Sequence, residues 1–216
     1  MMRQALIVWG GWNGHTPQEC ADVVAGMLRD DGFEVFIEDT TEAFADPGLK
    51  DMHLIVPIYT MSTMEKEEVT NLTSAVESGV GLAGFHGGMC DAFRNEVAYQ
   101  FMTGGQWVSH PGNIIDYRVR VTRPDDPVMQ GLKDFDYRSE QYYMHVDPNN
   151  EVLAETTFTG DHAAWIAGHT MPVVWKRKHG VGRVFYSALG HRVEEFENQA
   201  MRTILHRGLL WAAREA

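Results

Sequence analysis

Up to about Phe101 the chain alternates short apolar runs with amphipathic helical stretches, and that alternation limits the fold more than any other feature. Gln4 to Trp9 reads as a first strand. Thr16-Pro17-Gln18-Glu19 then supplies an N-cap, a proline at the first helical position and a capping-box glutamate. Val23, Val24, Met27 and Leu28 give this helix one apolar face, and Asp31-Gly32 ends it. Glu34 to Glu38 is a second strand and His53 to Ile58 a third, with Pro57 tolerable near its end. Ser62 with Glu65 caps another helix, which buries Val69, Leu72 and Val76 and stops at Gly79 before a fourth strand, Val80 to Phe85. Strands separated by helices of this length predict a parallel sheet covered on both faces.

Beyond Phe101 the pattern changes. A glycine-rich segment, GGQWVSHPG, leads to an alternating strand from Asp116 to Thr122 and a turn at Pro124-Asp125-Asp126-Pro127. Met171 to Lys178 and Arg183 to Leu189 bracket His179-Gly180-Val181-Gly182 and read as a hairpin. A final helix places Phe196, Ala200, Ile204 and Trp211 on one face. No repeat or linker interrupts the chain, so residues 1–216 are expected to form one α/β domain.

A net charge of −12 gives no electrostatic footprint for phosphate backbones or anionic membranes, so neither nucleic acid nor membrane is expected as a partner. The two cysteines, Cys20 and Cys90, have neither metal-type nor secreted-type spacing. The apolar run at the start is too short for a signal peptide or a span, and a cytoplasmic protein is expected. A homodimer is the prior for such a domain.

In open parallel sheets, ligands bind beyond the carboxyl ends of the strands. His15 follows the first strand and His86 the fourth, at the apex of Gly84-Phe85-His86-Gly87-Gly88, a strand-turn-helix elbow of the kind that presents a nucleophile. Gly10-Gly11 leaves room for a ligand near the first helix. His191 follows the strand ending ALG, His110 lies in the glycine-rich segment, and Glu140 and His145 lie in SEQYYMHVDP. Converging, such groups would support acid/base chemistry or a divalent metal such as zinc, although no H-E-x-x-H pair fixes a geometry. His53, His162, His179 and His206 read as surface or structural residues.

The chain resembles the trehalose-utilisation (ThuA-like) family through GGWNGHTP, GLAGFHGG, GGQWVSHPG, SEQYYMHVDP and MPVVWKRKHGVGRVFYSALGH, in that order across nearly its whole length. The resemblance implies a flavodoxin-like, mostly parallel α/β sheet with helices on both faces, similar to class I glutamine amidotransferases, whose glycine turn carries a cysteine. Here the turn carries His86, and an imidazole does not form a glutamyl thioester, which argues against amidotransfer. Cys90, four residues on, falls inside the following helix and does not replace it.

The resemblance further implies a role in using trehalose or related disaccharides, with 3-keto sugars as substrates. It adds weight to His15, His86, Glu140 and His191 as pocket residues, with His110 and His145 next. The resulting expectation is an enzyme, a hydrolase, lyase or isomerase of oxidised sugars. In it His86 is the central acid/base or metal ligand, Glu140 its partner or the base, and His15 and His191 carbonyl polarisers or ligands. Trp12, Trp107 and Tyr142 offer apolar faces to a sugar ring. The other class that the residues leave open is a sugar-binding or sensing module without turnover.

Overall fold

A computed structural model describes residues 2–215. The anticipated alternation is present as β1 (Arg3–Gly11), α1 (Pro17–Asp30), β2 (Phe33–Glu38), β3 (Leu54–Thr60), α2 (Lys66–Glu77), β4 (Gly81–Phe85), the short α3 (His86–Cys90) and α4 (Val97–Thr103). The remainder is β5 (Gly105–Ser109), β6 (Ile114–Val121), β7 (Phe135–Glu140), β8 (Tyr143–Val146), β9 (Glu151–Thr157), β10 (Thr170–His179), β11 (Gly182–Ser187) and α5 (Gln199–Ala212). Nine strands form one sheet in the order β2-β1-β3-β4-β11-β10-β9-β6-β7, while β5 and β8 pair separately.

The α/β architecture is the one expected, and the sheet has two characters. From β2 to β11 every neighbour is parallel. From β11 through β10, β9 and β6 to β7 every neighbour is antiparallel. The inner parallel strands are apolar on both sides because helices cover both faces: β4 is buried along its whole length, and Leu54, Ile55 and Val56 of β3 are fully buried. At the edge, β2 buries only Phe33 and otherwise alternates between half-buried and exposed residues. The run from β6 to β7 is an arm, since among the described residues the ladder between β6 and β9 spans Arg120 and Val121 alone, with Thr156 Oγ1 also donating to the Arg118 carbonyl.

Several local expectations give way to tertiary partners. Thr16 precedes α1 but does not cap it; it sits at φ +45°, and its Oγ1 accepts instead from the Val193 N–H. The cap of α2 is Glu65 with Glu68, a box made one turn later than Ser62 suggests, because the Ser62 N–H is taken by the Ala92 carbonyl. Pro57 stands inside β3, which runs on to Thr60. Pairing with β4 ends at Ile55, so the missing N–H falls beyond that ladder. Gly10 and Gly11 make no room for a ligand. A Cβ on Gly11 would lie 2.0 Å from the Thr60 carbonyl oxygen, so these glycines let β1 pack against β3. The glycine-rich segment contains strand β5, whose partner β8 lies about forty residues further along the chain. Helix α5 turns Met201, Ile204, Leu205 and Leu209 inward and leaves Ala200 and Trp211 half-buried.

Candidate functional site

The carboxyl ends of the parallel strands deliver three imidazoles. His15 ends the short turn after β1, His86 opens α3 directly after β4, and His191 follows β11. The arm delivers the fourth group, Glu140, as the last residue of β7. Ligand atoms of these four buried side chains all lie within 4.8 Å of one another.

The hydrogen bonds define what each group offers. His86 Nδ1 lies 2.9 Å from the Ala188 carbonyl oxygen. That oxygen only accepts, so Nδ1 donates and Nε2 is the atom turned to the cluster. Nε2 stands 3.1 Å from Glu140 Oε2 and 3.3 Å from His191 Nδ1. His191 Nδ1 is 3.4 Å and His15 Nε2 4.0 Å from the same carboxylate oxygen. His15 Nδ1 meets Thr60 Oγ1 at 2.9 Å, which orients its other nitrogen inward. With His86 neutral, lone pairs face lone pairs at the centre, an arrangement that only a shared proton or a cation relieves.

The charges follow from burial and crowding. Burial, then the neighbouring His86 and His191, push the His15 imidazole down to about 2, so His15 is a neutral lone-pair donor. Burial works against ionisation of Glu140, but the His191 and His86 rings beside it, which donate to it when protonated, outweigh burial and hold the carboxyl well below the usual carboxylate range. Three nitrogens and one anionic oxygen suit zinc, whose tetrahedral ligands at bond lengths of 2.0–2.2 Å stand about 3.3–3.6 Å apart. The contacts of 3.1–4.0 Å made by Glu140 Oε2 and the His86–His191 pair bracket that spacing, while the set as a whole extends to 4.8 Å. Each of two imidazoles also donates or turns its second nitrogen to a fixed oxygen, the outer support that metal-binding histidines have.

His15, Glu140 and His191 of the quartet line a cavity of about 320 Å³ that Trp12, Met61, Arg94, Trp107, His110 and Tyr142 help to form, and His86 lies behind them. His110 Nε2 is 3.7 Å from Glu140 Oε1, on the far side of the carboxylate from the other imidazoles. Tyr142 is buried and stacks on His86 with ring centroids 4.1 Å apart, so it backs the imidazole. Trp12 is 46% exposed and meets His15 edge-on, leaving indole surface at the cavity mouth. His145 is not brought here: it is exposed on β8, opposite Gln106, and lines a separate groove with Phe101 and Asp147. Two roomier grooves elsewhere, one along residues 36–52, contain no histidine.

Three features at the site escape sequence reasoning. Thr60 orients His15 from the end of β3, and nothing local marks it. Arg94 is held by Asp91 through two hydrogen bonds, 2.6 and 2.8 Å, and stacks over Trp107; its i,i+3 spacing from Asp91 was the available signal. Strain is the third. The non-glycine residues with positive φ among the described residues are Thr16, Met61, His86 and Asn113; Met61 and Asn113 line this cavity, His86 belongs to the quartet, and Thr16 follows His15 in the chain. Such strain persists where surrounding structure over-determines it, and it gathers at functional sites.

The comparisons with known proteins agree with the fold and with the family resemblance. The family model for ThuA, described as trehalose utilisation, matches residues 4–212. The chain belongs to the ThuA family. Among solved structures, a ThuA-like protein from Bacteroides uniformis superposes with a TM-score of 0.80 at 20% identity, covering 97% of this chain and 91% of that one. A ThuA-like protein from Parabacteroides merdae gives 0.78 at 18%, covering 100% and 92%. A Salmonella typhimurium protein described as cytoplasmic gives 0.64 at 14%, covering 98% and 100%. These likenesses show the shared fold. No curated protein matches by sequence. Among the described residues, no helix is long and apolar enough to cross a membrane.

Proposed function

We propose that this ThuA-family chain is an enzyme of trehalose or related sugar utilisation that acts on a 3-keto disaccharide or keto-sugar, with His15, His86, Glu140 and His191 holding a divalent metal such as zinc. The observation that carries the reading is the convergence of three imidazole nitrogens and one carboxylate oxygen beside a small cavity that His15, Glu140 and His191 line. A cation bound there would supply Lewis-acid polarisation of a sugar carbonyl, provided that the sugar oxygen enters as a further ligand beside the four side chains.

A ketone acidifies the adjacent C–H, so opening a neighbouring glycosidic bond by elimination, or isomerising the sugar, needs a base and a proton donor. Glu140, kept ionised, has its Oε2 among the imidazoles and its Oε1 free to take the C–H proton, and His110 beside Oε1 is placed to pass it on. Trp12 and Trp107 flank the opening with apolar faces suited to a sugar ring. The cavity lies at the lower end of the range for ligand sites, about 300–1,000 Å³, which favours one enclosed ring with the second directed outward.

The test is elemental metal content of tag-free protein, wild type against His86→Ala, followed by incubation with 3-keto-trehalose and trehalose with metal supplied. We expect near-stoichiometric metal that the variant loses, and product from the keto-sugar that chelator abolishes and added metal restores. Turnover indifferent to chelator would replace the metal with purely organic acid/base chemistry. Binding of either sugar without product would make the protein a sensing module.

A further inference from the structure

Glu195 does not line the cavity, yet its carboxylate touches both segments that bring the arm and the parallel sheet together. It lies in the 3-10 turn Val193–Glu197. Its Oε1 accepts from Ser139 Oγ at 2.7 Å, and its Oε2 accepts from the Tyr137 hydroxyl and from the backbone N–H groups of Gly190 (3.2 Å) and His191 (3.0 Å). The Tyr137 oxygen in turn accepts from the Gly190 N–H at 3.2 Å. Burial and then the adjacent Glu195 charge keep that phenol protonated, so it remains a donor.

Tyr137 and Ser139 are two residues apart and share one face of β7. Strand β7 ends the sheet order and has only β6 as a strand neighbour, so the sheet itself does not fix its distance from the turn after β11. That turn is tight: Gly190 has φ +98°, and a Cβ there would stand 2.5 Å from Met201 Cε. One carboxylate thus holds the residue preceding Glu140 and the backbone of His191 together.

We propose that Glu195 is a positioning residue, a clamp that sets the separation of His191 from Glu140 by fastening β7 to the Gly190–His191 turn. Its metal consequence rests on the function proposed above, whereas its structural consequence does not. The glutamine variant makes the sharper test, since an amide keeps the size but retains one oxygen and turns an NH2 toward former donors.

The experiment uses the full chain, stripped of metal, in the wild-type form and as Glu195→Gln and Glu195→Ala. Imidazole 1H–15N spectra are recorded first, and zinc affinity is then measured by competition titration. In Glu195→Gln the ring resonances of His191 and His86 are expected to move while those of His53 and His206, which bond Gln4 and Asp31 elsewhere, stay in place. Zinc affinity is expected to fall by about 10–100-fold, the scale for residues that orient ligands. If Glu195→Ala does not fold, Ser139→Ala and Tyr137→Phe each remove one donor to the same carboxylate and are expected to move the same resonances by less.

Unmoved His191 and His86 resonances in Glu195→Gln and in both donor variants overturn the clamp. A wild type that binds no zinc, but whose rings shift in Glu195→Gln, would sink the metal reading and uphold the clamp.

Discussion

The parallel and antiparallel halves of the sheet contribute to the site in different ways. The parallel half places His15, His86 and His191 through short turns at the ends of buried strands, where the backbone has little freedom. The antiparallel half sends Glu140 in on an arm whose strand β6 pairs in register with β9 at Arg120 and Val121, with Thr156 Oγ1 also accepting from Gln141 and donating to the Arg118 carbonyl. The first is held by burial between helices, and the second by one buried face together with hydrogen bonds at its tip. The anionic ligand thus reaches the imidazoles from a different part of the sheet than the one that places them. A core that builds the pocket and an arm that completes it are then separable by mutation.

The largest effect is expected from cutting the arm's chemistry while leaving its backbone alone. Glu140→Gln removes the anionic oxygen from among the imidazoles, and zinc affinity in a competition titration should fall by more than about 100-fold, beyond the usual loss for residues that only support ligands. Retained affinity would show that the three imidazoles of the parallel half suffice and that the arm is dispensable for binding.

The next effect sets stability against occupancy. Ile7 is fully buried in β1, and Ile7→Ala should cost about 2–5 kcal/mol in chemical denaturation. Val119 is fully buried in β6, and Val119→Ala removes two carbons at about 0.8 kcal/mol each. The cheaper substitution should nevertheless lower zinc affinity more, because β6 carries β7 and with it Glu140. Equal affinities in the two variants would mean that arm and core move as one body.

The smallest expected effect is none at all, and it compares the elbow with the thiol beyond it. Cys90 ends α3 fully buried, and burial pushes its thiol well above the usual range; burial likewise pushes Cys20 up to about 11. A raised thiol pKa leaves almost no thiolate near neutral pH, and a thiol reagent at pH 8 should find no fast-reacting group in the native protein. A fast-reacting Cys90 would reopen the nucleophilic chemistry that His86 at the apex argues against.

Much of this was legible in the chain itself. The alternation of apolar runs and helical faces determines the parallel half, and local order places His15, His86 and His191 at strand ends, because a residue that follows a buried strand has nowhere else to go. The elbow is also local, written in the glycines around His86. Tertiary structure decided the rest. Glu140 and His145 lie five residues apart in one motif, yet the first ends β7 among the histidines and the second sits on β8 facing another groove. Which of them enters depends on the pairing of β8 with β5 and on the turn of the arm. Thr16 was written as a cap and spent on Val193, 177 residues away. His86 takes its tautomer from a carbonyl 102 residues further along. Periodicity records what each segment buries, whereas partners so distant in sequence are chosen only when the whole chain closes around its core.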